Sequence, residues 1–306
     1  MKLYINRAPV NGPWGGGNGA TKAILDRMVS YLDTSIHPQP DTVIVLGLER
    51  ESTWASLEQL VEYKQQNVGV KLFIRVNDCD ARKGTSDVDD RFLAASKYAD
   101  GTIFVSEWMR DYFMGKGWAC KNNAVIVNGV DQNVFKPFEG VTIPKPFENL
   151  RPRVVKIVTH HWSDNPLKGE DYYEMLDEFV GRNPGRFQYT FIGRTKAKLK
   201  NTQIVPPLWG RELGVALSQN DVCVNASRFD PGPNSVIESI ACGLPTYVHR
   251  EGGGGVEFAG LDHTFGSWDE LENILTQKLS LNVFRPKTWQ TFSEEVYSFL
   301  EGLSHD

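Results

Sequence analysis

No apolar run in this chain approaches the roughly 20 residues needed to span a bilayer. Its amino terminus, Met1-Lys2-Leu3-Tyr4-Ile5, reads as a strand and has no signal-peptide core. A soluble, cytoplasmic protein is expected, with peripheral membrane contact left open and no transmembrane segment. Positive charge is also in short supply: 33 Lys and Arg stand against 38 Asp and Glu, a formal net charge of -5. The basic stripe that displaces counterions from nucleic-acid phosphates is therefore lacking, which excludes nucleic acid as a partner. Any anionic ligand has to be held locally. Cysteines number only 4, Cys79, Cys120, Cys223 and Cys242, and none forms a C-x-x-C pair. That argues against a zinc or redox site and for reduced, structural thiols.

What is present suits a two-domain globular protein. A chain of 306 residues exceeds one ordinary core and fits two domains of roughly 150 residues each. With 41% hydrophobic and 23% charged residues it sits among soluble globular proteins, so disorder and fibrous repeats are set aside. Short β-rich runs alternate with amphipathic stretches: Leu3 to Asn6, a helix from about Ala20, Thr42 to Leu48, a helix from about Thr53, Lys71 to Val76, Gly101 to Val105, a helix from Ser106, and Ala124 to Asn128. Such alternation means parallel strands with crossover helices. A stretch holding Pro137, Pro144, Pro146 and Pro152 interrupts it. The alternation then restarts at Val154 and runs through Gln188 to Ile192, Val222 to Asn225 and a helix from about Ser235. The expected architecture is α/β, two Rossmann-like doubly wound domains facing across a cleft. The first covers 1–140, a linker 141–152 follows, and the second covers 153–288. Phe292, Val296, Phe299 and Leu300 share one face of a last helix over 289–303, and that face needs a surface to pack on.

Parallel sheets bind ligands beyond the carboxyl ends of their strands. The most informative loop there is Ser227-Arg-Phe-Asp-Pro-Gly-Pro-Asn-Ser-Val-Ile-Glu-Ser-Ile-Ala-Cys-Gly-Leu-Pro245, which leads from a strand into a helix. Free amides at Ser235, Val236 and Ile237, with Gly232 and Asn234 before them, would make an anion site suited to a pyrophosphate. Asp230 and Glu238 flank it, where carboxylates can hold hydroxyls of a sugar and a ribose. A second reading is purely structural: Ser235 and Glu238 also spell a capping box, and Asp230 before Pro231 a turn.

This segment resembles the signature of the retaining GT-B glycosyltransferases of the group 1, family-4-like type, an E-x7-E motif followed by a small-residue helix and a Gly-x-Pro turn. Here Asp230 and Glu238 stand eight positions apart, followed by Ala241-Cys242-Gly243-Leu244-Pro245 and a later glycine run with Glu257. Val105-Ser106-Glu107-Trp108-Met109-Arg110 and Val127-Asn128-Gly129-Val130-Asp131 match two further segments of that family. The resemblance implies a nucleotide-sugar-dependent, hexosyltransferase-type enzyme. Its acceptor would be a carbohydrate, a lipid-linked sugar or a protein. Asp230 would contact the transferred sugar, and Glu238 the ribose. It also implies that the last helix crosses back to the first domain. The same fold serves nucleotide-sugar epimerases and phosphorylases, and a non-catalytic nucleotide-sugar binder is a further alternative.

Three other loops fit this frame. In His160-His-Trp-Ser-Asp-Asn-Pro-Leu-Lys-Gly169, Lys168 matches the family's phosphate-binding Lys, but no Arg occupies the family's Arg position, for which Arg194 is the candidate substitute. His160 and His161 either end a strand or face a ligand. In Gly12-Pro-Trp-Gly-Gly-Gly-Asn-Gly-Ala20, Gly16 and Gly17 would let the backbone approach a phosphate or sugar. A dinucleotide fingerprint does not fit there, because Arg7 to Trp14 separate it from the strand, and Lys22 lacks the preceding Gly of a P-loop. Asp78 and Asp80 stand where many family members carry a His; they either orient an acceptor hydroxyl, with Asp78 the candidate catalytic residue, or cap a turn. The expected cofactor is none, the nucleotide-sugar being a substrate. No metal is expected either, since Lys168 and helix amides can neutralise a leaving diphosphate.

Overall fold

The computed structural model describes residues 2–10, 12, 16–27, 40–48, 55–137, 154–277 and 279–304. The expected linker, 141–152, lies outside them. Contacts divide the chain into two compact units, Met1–Gly129 with Lys287–Asp306, and Val130–Pro286.

In the first unit the order is β1 (Leu3–Ile5), α1 (Gly16–Arg27), β2 (Thr42–Val45), α2 (Leu57–Gln66), β3 (Lys71–Val76), α3 (Asp80–Lys83), α4 (Val88–Ser96), β4 (Gly101–Phe104), α5 (Glu107–Met114) and β5 (Asn123–Val125). Its five strands are parallel and lie in sequence order. Side chains leave a strand alternately to its two faces, and both faces here are apolar. Tyr4, Val43, Val45, Leu72, Ile74 and Phe104 pack with α2, α4 and α5, while Leu3, Ile5, Ile44, Phe73 and Ile103 pack with α1 and the last helix of the chain. This period-two division of apolar residues is why the sheet is covered on both sides.

The second unit follows with β6 (Val155–His161), a 3-10 turn at Pro166–Lys168, α6 (Glu170–Arg182), β7 (Phe187–Gly193), β8 (Gln203–Val205), α7 (Gly210–Ser218), β9 (Val222–Asn225), α8 (Asn234–Ala241), β10 (Thr246–His249), α9 (Gly254–Ala259), β11 (Thr264–Phe265) and α10 (Trp268–Thr276). Its parallel strands run in the order β11-β10-β9-β6-β7-β8. No helix among the described residues is long and apolar enough to cross a membrane.

The final helix, α11 (Trp289–Ser304), buries Phe292, Val296 and Leu300 completely in the first unit, against α1 and the sheet. Phe292→Ala should therefore destabilise that unit by about 3–5 kcal/mol, the usual cost of truncating a buried Phe. Urea unfolding checks this, and a loss below about 1 kcal/mol would show that the face is not core. One helix start differs from expectation: α1 begins at Gly16, not near Ala20, so Gly16 and Gly17 are helical. Glycines disfavour a helix interior by about 1 kcal/mol each, but here packing decides. A Cβ at Gly19 would stand 2.3 Å from the Trp289 ring, so glycine is what lets α1 and α11 approach.

Candidate functional site

β6 and β9 are neighbours at the centre of the second sheet, and the chain leaves them in opposite directions, from β6 toward β7 and β8 and from β9 toward β10 and β11. Their carboxyl ends therefore border the crevice where open parallel sheets bind ligands. The loop after β6 carries Lys168 and the loop after β9 carries Asp230.

Local rules hold the two loops together. Asn165 starts the 3-10 turn, its side chain accepting from the Leu167 N–H at 2.9 Å. Gly169 ends the turn with φ at 91°, and a Cβ there would lie 2.4 Å from the Cβ of Ala226. Only glycine lets this turn rest on the end of β9. Arg228 N–H donates to the Leu167 carbonyl at 2.8 Å, joining the loops directly. The outcome is a buried ion pair, with Lys168 Nζ at 2.5 Å from Asp230 Oδ2. Ahead of Asp230, Phe229 has φ of 54°, a left-handed conformation that costs on the order of 1–3 kcal/mol outside glycine. Phe229 N–H donating to Glu251 O at 2.8 Å, and Gly254 N–H donating to Asp230 O at 2.9 Å, hold that turn in place.

The capping box does not form. α8 starts one residue early, at Asn234, with Pro233 as its N-cap, so Ser235 is already inside the helix. The Ser235 hydroxyl instead accepts from Asn225 Nδ2 at 2.8 Å. Val236 and Ile237 donate their N–H groups to the Pro233 carbonyl at 3.1 and 3.4 Å, which leaves Ser235 as the free amide of the expected trio. Gly232 N–H lies 3.4 Å from Asp230 Oδ1. Glu238, relieved of capping, accepts no hydrogen bond from any described residue. Its Oε2 faces His160 Nδ1 at 3.8 Å, and a fifth of its side chain, 20%, stays open to solvent.

Burial drives the protonation pattern. It pushes Glu238 up to about 8 and His160 down to about 4, so both are mainly neutral at pH 7. His160 Nε2 lies 2.9 Å from the Ser235 carbonyl and 3.2 Å from Ser239 Oγ. A carbonyl only accepts, so Nε2 carries the hydrogen and Nδ1, facing Glu238, carries the lone pair. His161 Nδ1 donates likewise to Ser163 O at 2.7 Å, and its Nε2 is buried without a partner. Burial first, and then the charge of Lys168, push His161 down to about 3. Sequence reasoning left these two histidines undecided. They end β6 and also border Lys168 and Glu238, and two adjacent histidines closing a buried strand are the signal that marks them.

Arg194 is exposed, its Cζ 6.0 Å from the Trp162 ring centroid. Gly16, Gly17, Asp78 and Asp80 belong to the first unit. Asp78 pairs with Lys83 Nζ at 2.6 Å and accepts from the Cys79 N–H at 3.0 Å. Asp80 caps: its carboxylate accepts from Thr85 Oγ1 at 2.5 Å and from the Val88 and Asp89 N–H groups, both at 3.1 Å, at the start of α4.

Solved structures with this architecture are GT-B glycosyltransferases. HepE from Anabaena, in complex with UDP and glucose, matches with a TM-score of 0.70 over 98% of this chain and 99% of that chain, at 13% identity. The same protein with UDP gives 0.71 over 99% and 100%, at 15% identity. The pneumococcal O-GlcNAc transferase GtfA, in complex with UDP and GlcNAc, gives 0.59 over 87% of this chain and 57% of that one, at 14% identity. No protein-family model and no curated protein sequence matches the chain. At such identities the likeness is one of fold.

Proposed function

We propose that the protein is a retaining glycosyltransferase that moves a hexosyl group from a UDP-sugar to an acceptor hydroxyl. The observation that carries this reading is the convergence of Lys168, Asp230 and Glu238 around the start of α8, at the crevice between β6 and β9. A diphosphate fits beside Lys168 and the Ser235 amide. The ammonium has three donors, so Lys168 can keep Asp230 while another N–H meets a phosphate oxygen. Because the pair is preset, it stabilises the charge of the departing UDP without reorganising. Glu238, with no hydrogen bond to give up, accepts from ribose hydroxyls. Asp230 accepts from a sugar hydroxyl and fixes the ring. The bond from the anomeric carbon to the diphosphate breaks with its electron pair going to UDP. The acceptor oxygen then bonds the same face, and its proton passes to the departing phosphate. No enzyme nucleophile is needed, so Asp230 and Glu238 are not the paired carboxylates of a glycosidase. HepE and GtfA, both solved with UDP, support UDP as the nucleotide.

Titration with UDP, ADP, GDP and their sugars, followed by thermal unfolding, tests the donor class. A UDP-sugar at a hundred times its dissociation constant should stabilise by about 2.7 kcal/mol; no shift with any nucleotide would remove the reading. Turnover should also survive exhaustive chelation. The groups placed for the diphosphate are a cation and an amide, and the carboxylate of Asp80 is already spent on α4. Activity that vanished with chelator and returned with magnesium or manganese would replace this account of leaving-group stabilisation.

A further inference from the structure

Arg75, near the end of β3, is 1% exposed and among the largest fully buried side chains of the protein. Its Nη2 donates to Asn128 Oδ1 at 2.5 Å, while Nε and Nη1 have no hydrogen-bond partner. A buried guanidinium normally faces a carboxylate, because desolvating it unpaired costs several kcal/mol. Here the charged group beside it is another cation, Arg7, itself 5% exposed. Burial and that neighbour together hold Arg75 down to about 9. The Phe292 ring lies 5.9 Å from the guanidinium carbon.

Further hydrogen-bond donors lie beside Arg7. Arg7 Nη1 lies 3.0 Å, and Asn77 Nδ2 3.4 Å, from the point where a Cβ would stand on Gly17. Gly17 is in the first turn of α1, a 12-residue helix with no acidic residue in that turn, so its orphan amides and dipole add further positive potential. Gly17 is partly exposed, and the place its side chain would take borders Arg7 and Asn77. The Arg7 guanidinium and the Asn77 amide thus meet at the helix start, with the Arg75 guanidinium beside Arg7. Chemistry of this kind matches the oxygens of a phosphate or carboxylate, with the guanidinium fork meeting two of them at once.

We propose that Arg75, Arg7, Asn77 and the first turn of α1 form an oxyanion site that takes an acidic group, phosphate or carboxylate, of the acceptor. Its assignment to the acceptor rests on the glycosyltransferase reading; the oxyanion chemistry does not. The donor diphosphate is the other possible source of such an anion, and the two are separable.

The experiment is calorimetric titration of the whole protein with inorganic phosphate at constant ionic strength, with and without saturating UDP. Phosphate should bind in both conditions. Arg75→Met should weaken it by about tenfold or more and leave UDP affinity within about twofold. Met fills similar space, and removing an uncompensated buried charge is commonly neutral or stabilising, so the variant should unfold no earlier than wild type in phosphate-free buffer. Phosphate displaced by UDP would assign the anion to the donor and overturn the acceptor site. Wild-type protein that bound UDP but no phosphate would overturn the site while leaving the proposed function intact. Phosphate bound without any UDP binding would sink the glycosyltransferase reading and leave the oxyanion site standing.

Discussion

Lys168→Met should lower kcat by about 10²- to 10³-fold, the range seen when one fixed electrostatic stabiliser of a developing anion is removed. The same change should cost about 3–5 kcal/mol of stability, because it strands the Asp230 carboxylate in a buried site without its cation. These two losses have different origins and can be pulled apart. Asp230 is 6% exposed and Lys168 9% exposed, so most of the stability loss comes from the charge left behind. Lys168→Met combined with Asp230→Asn removes both charges and should recover most of the stability. Turnover should not recover, since neither the phosphate donor nor the sugar acceptor is restored. Urea unfolding and steady-state kinetics on the two single variants and the double variant form the cycle that measures this. A single Lys168→Met variant that kept kcat within about tenfold would remove Lys168 from the leaving-group role.

The parallel sheets were legible because both faces of each central strand are apolar. Leu72 and Ile74 point one way and Phe73 the other, so the Leu72–Ile74 run reads as part of a buried strand. The loop from Ser227 to Pro245 was legible as a strand-to-helix turn for a similar reason, since Val222–Asn225 and Val236–Ile240 have different periods on its two sides. Local chemistry misled where tertiary contacts overrode it. Glycine content hid the start of α1, because the reason for Gly19 is the Trp289 ring, 270 positions away in sequence. Ser235 and Glu238 have the spacing of a capping box, but Pro233 takes the cap position first and Asn225 claims the Ser235 hydroxyl. Asp78 and Asp80 look equivalent in sequence and differ in the fold, one paired with Lys83 and the other spent on α4. Arg75 shows a different limit: an arginine in an apolar strand signals a special environment, but its neighbours Arg7 and Asn128 come from distant segments.

Glu238→Gln should make the protein more stable at pH 8, leave stability unchanged below about pH 4.5, and weaken UDP-sugar binding. In the folded protein burial raises this carboxyl from 4.5 to about 8. Between those values the folded state keeps a proton that the unfolded chain has released, so wild-type stability falls as pH rises. At 1.36 kcal/mol per unit the loss is bounded at roughly 5 kcal/mol, and solvent reaching the open part of the side chain brings the expected gain for Gln nearer to ~2 kcal/mol. His160 and His161 act in the opposite sense. Their folded values, about 4 and about 3, lie below the usual 6.5, so the unfolded chain holds more protons and stability rises with pH up to about 6.5. The three groups together place the wild-type maximum near pH ~6.5, and Gln at 238 should remove the decline above it. Binding gives an independent check. Ribose hydroxyls that donate to Glu238 favour its ionised form, so UDP binding at pH 7 should release up to about one proton from wild type and none from Glu238→Gln. Calorimetry in two buffers of different ionisation enthalpy reads that number directly. Equal proton release from the two proteins would sink the ribose role of Glu238, and a stability decline above pH 6.5 that persisted in the variant would locate the perturbed carboxyl elsewhere.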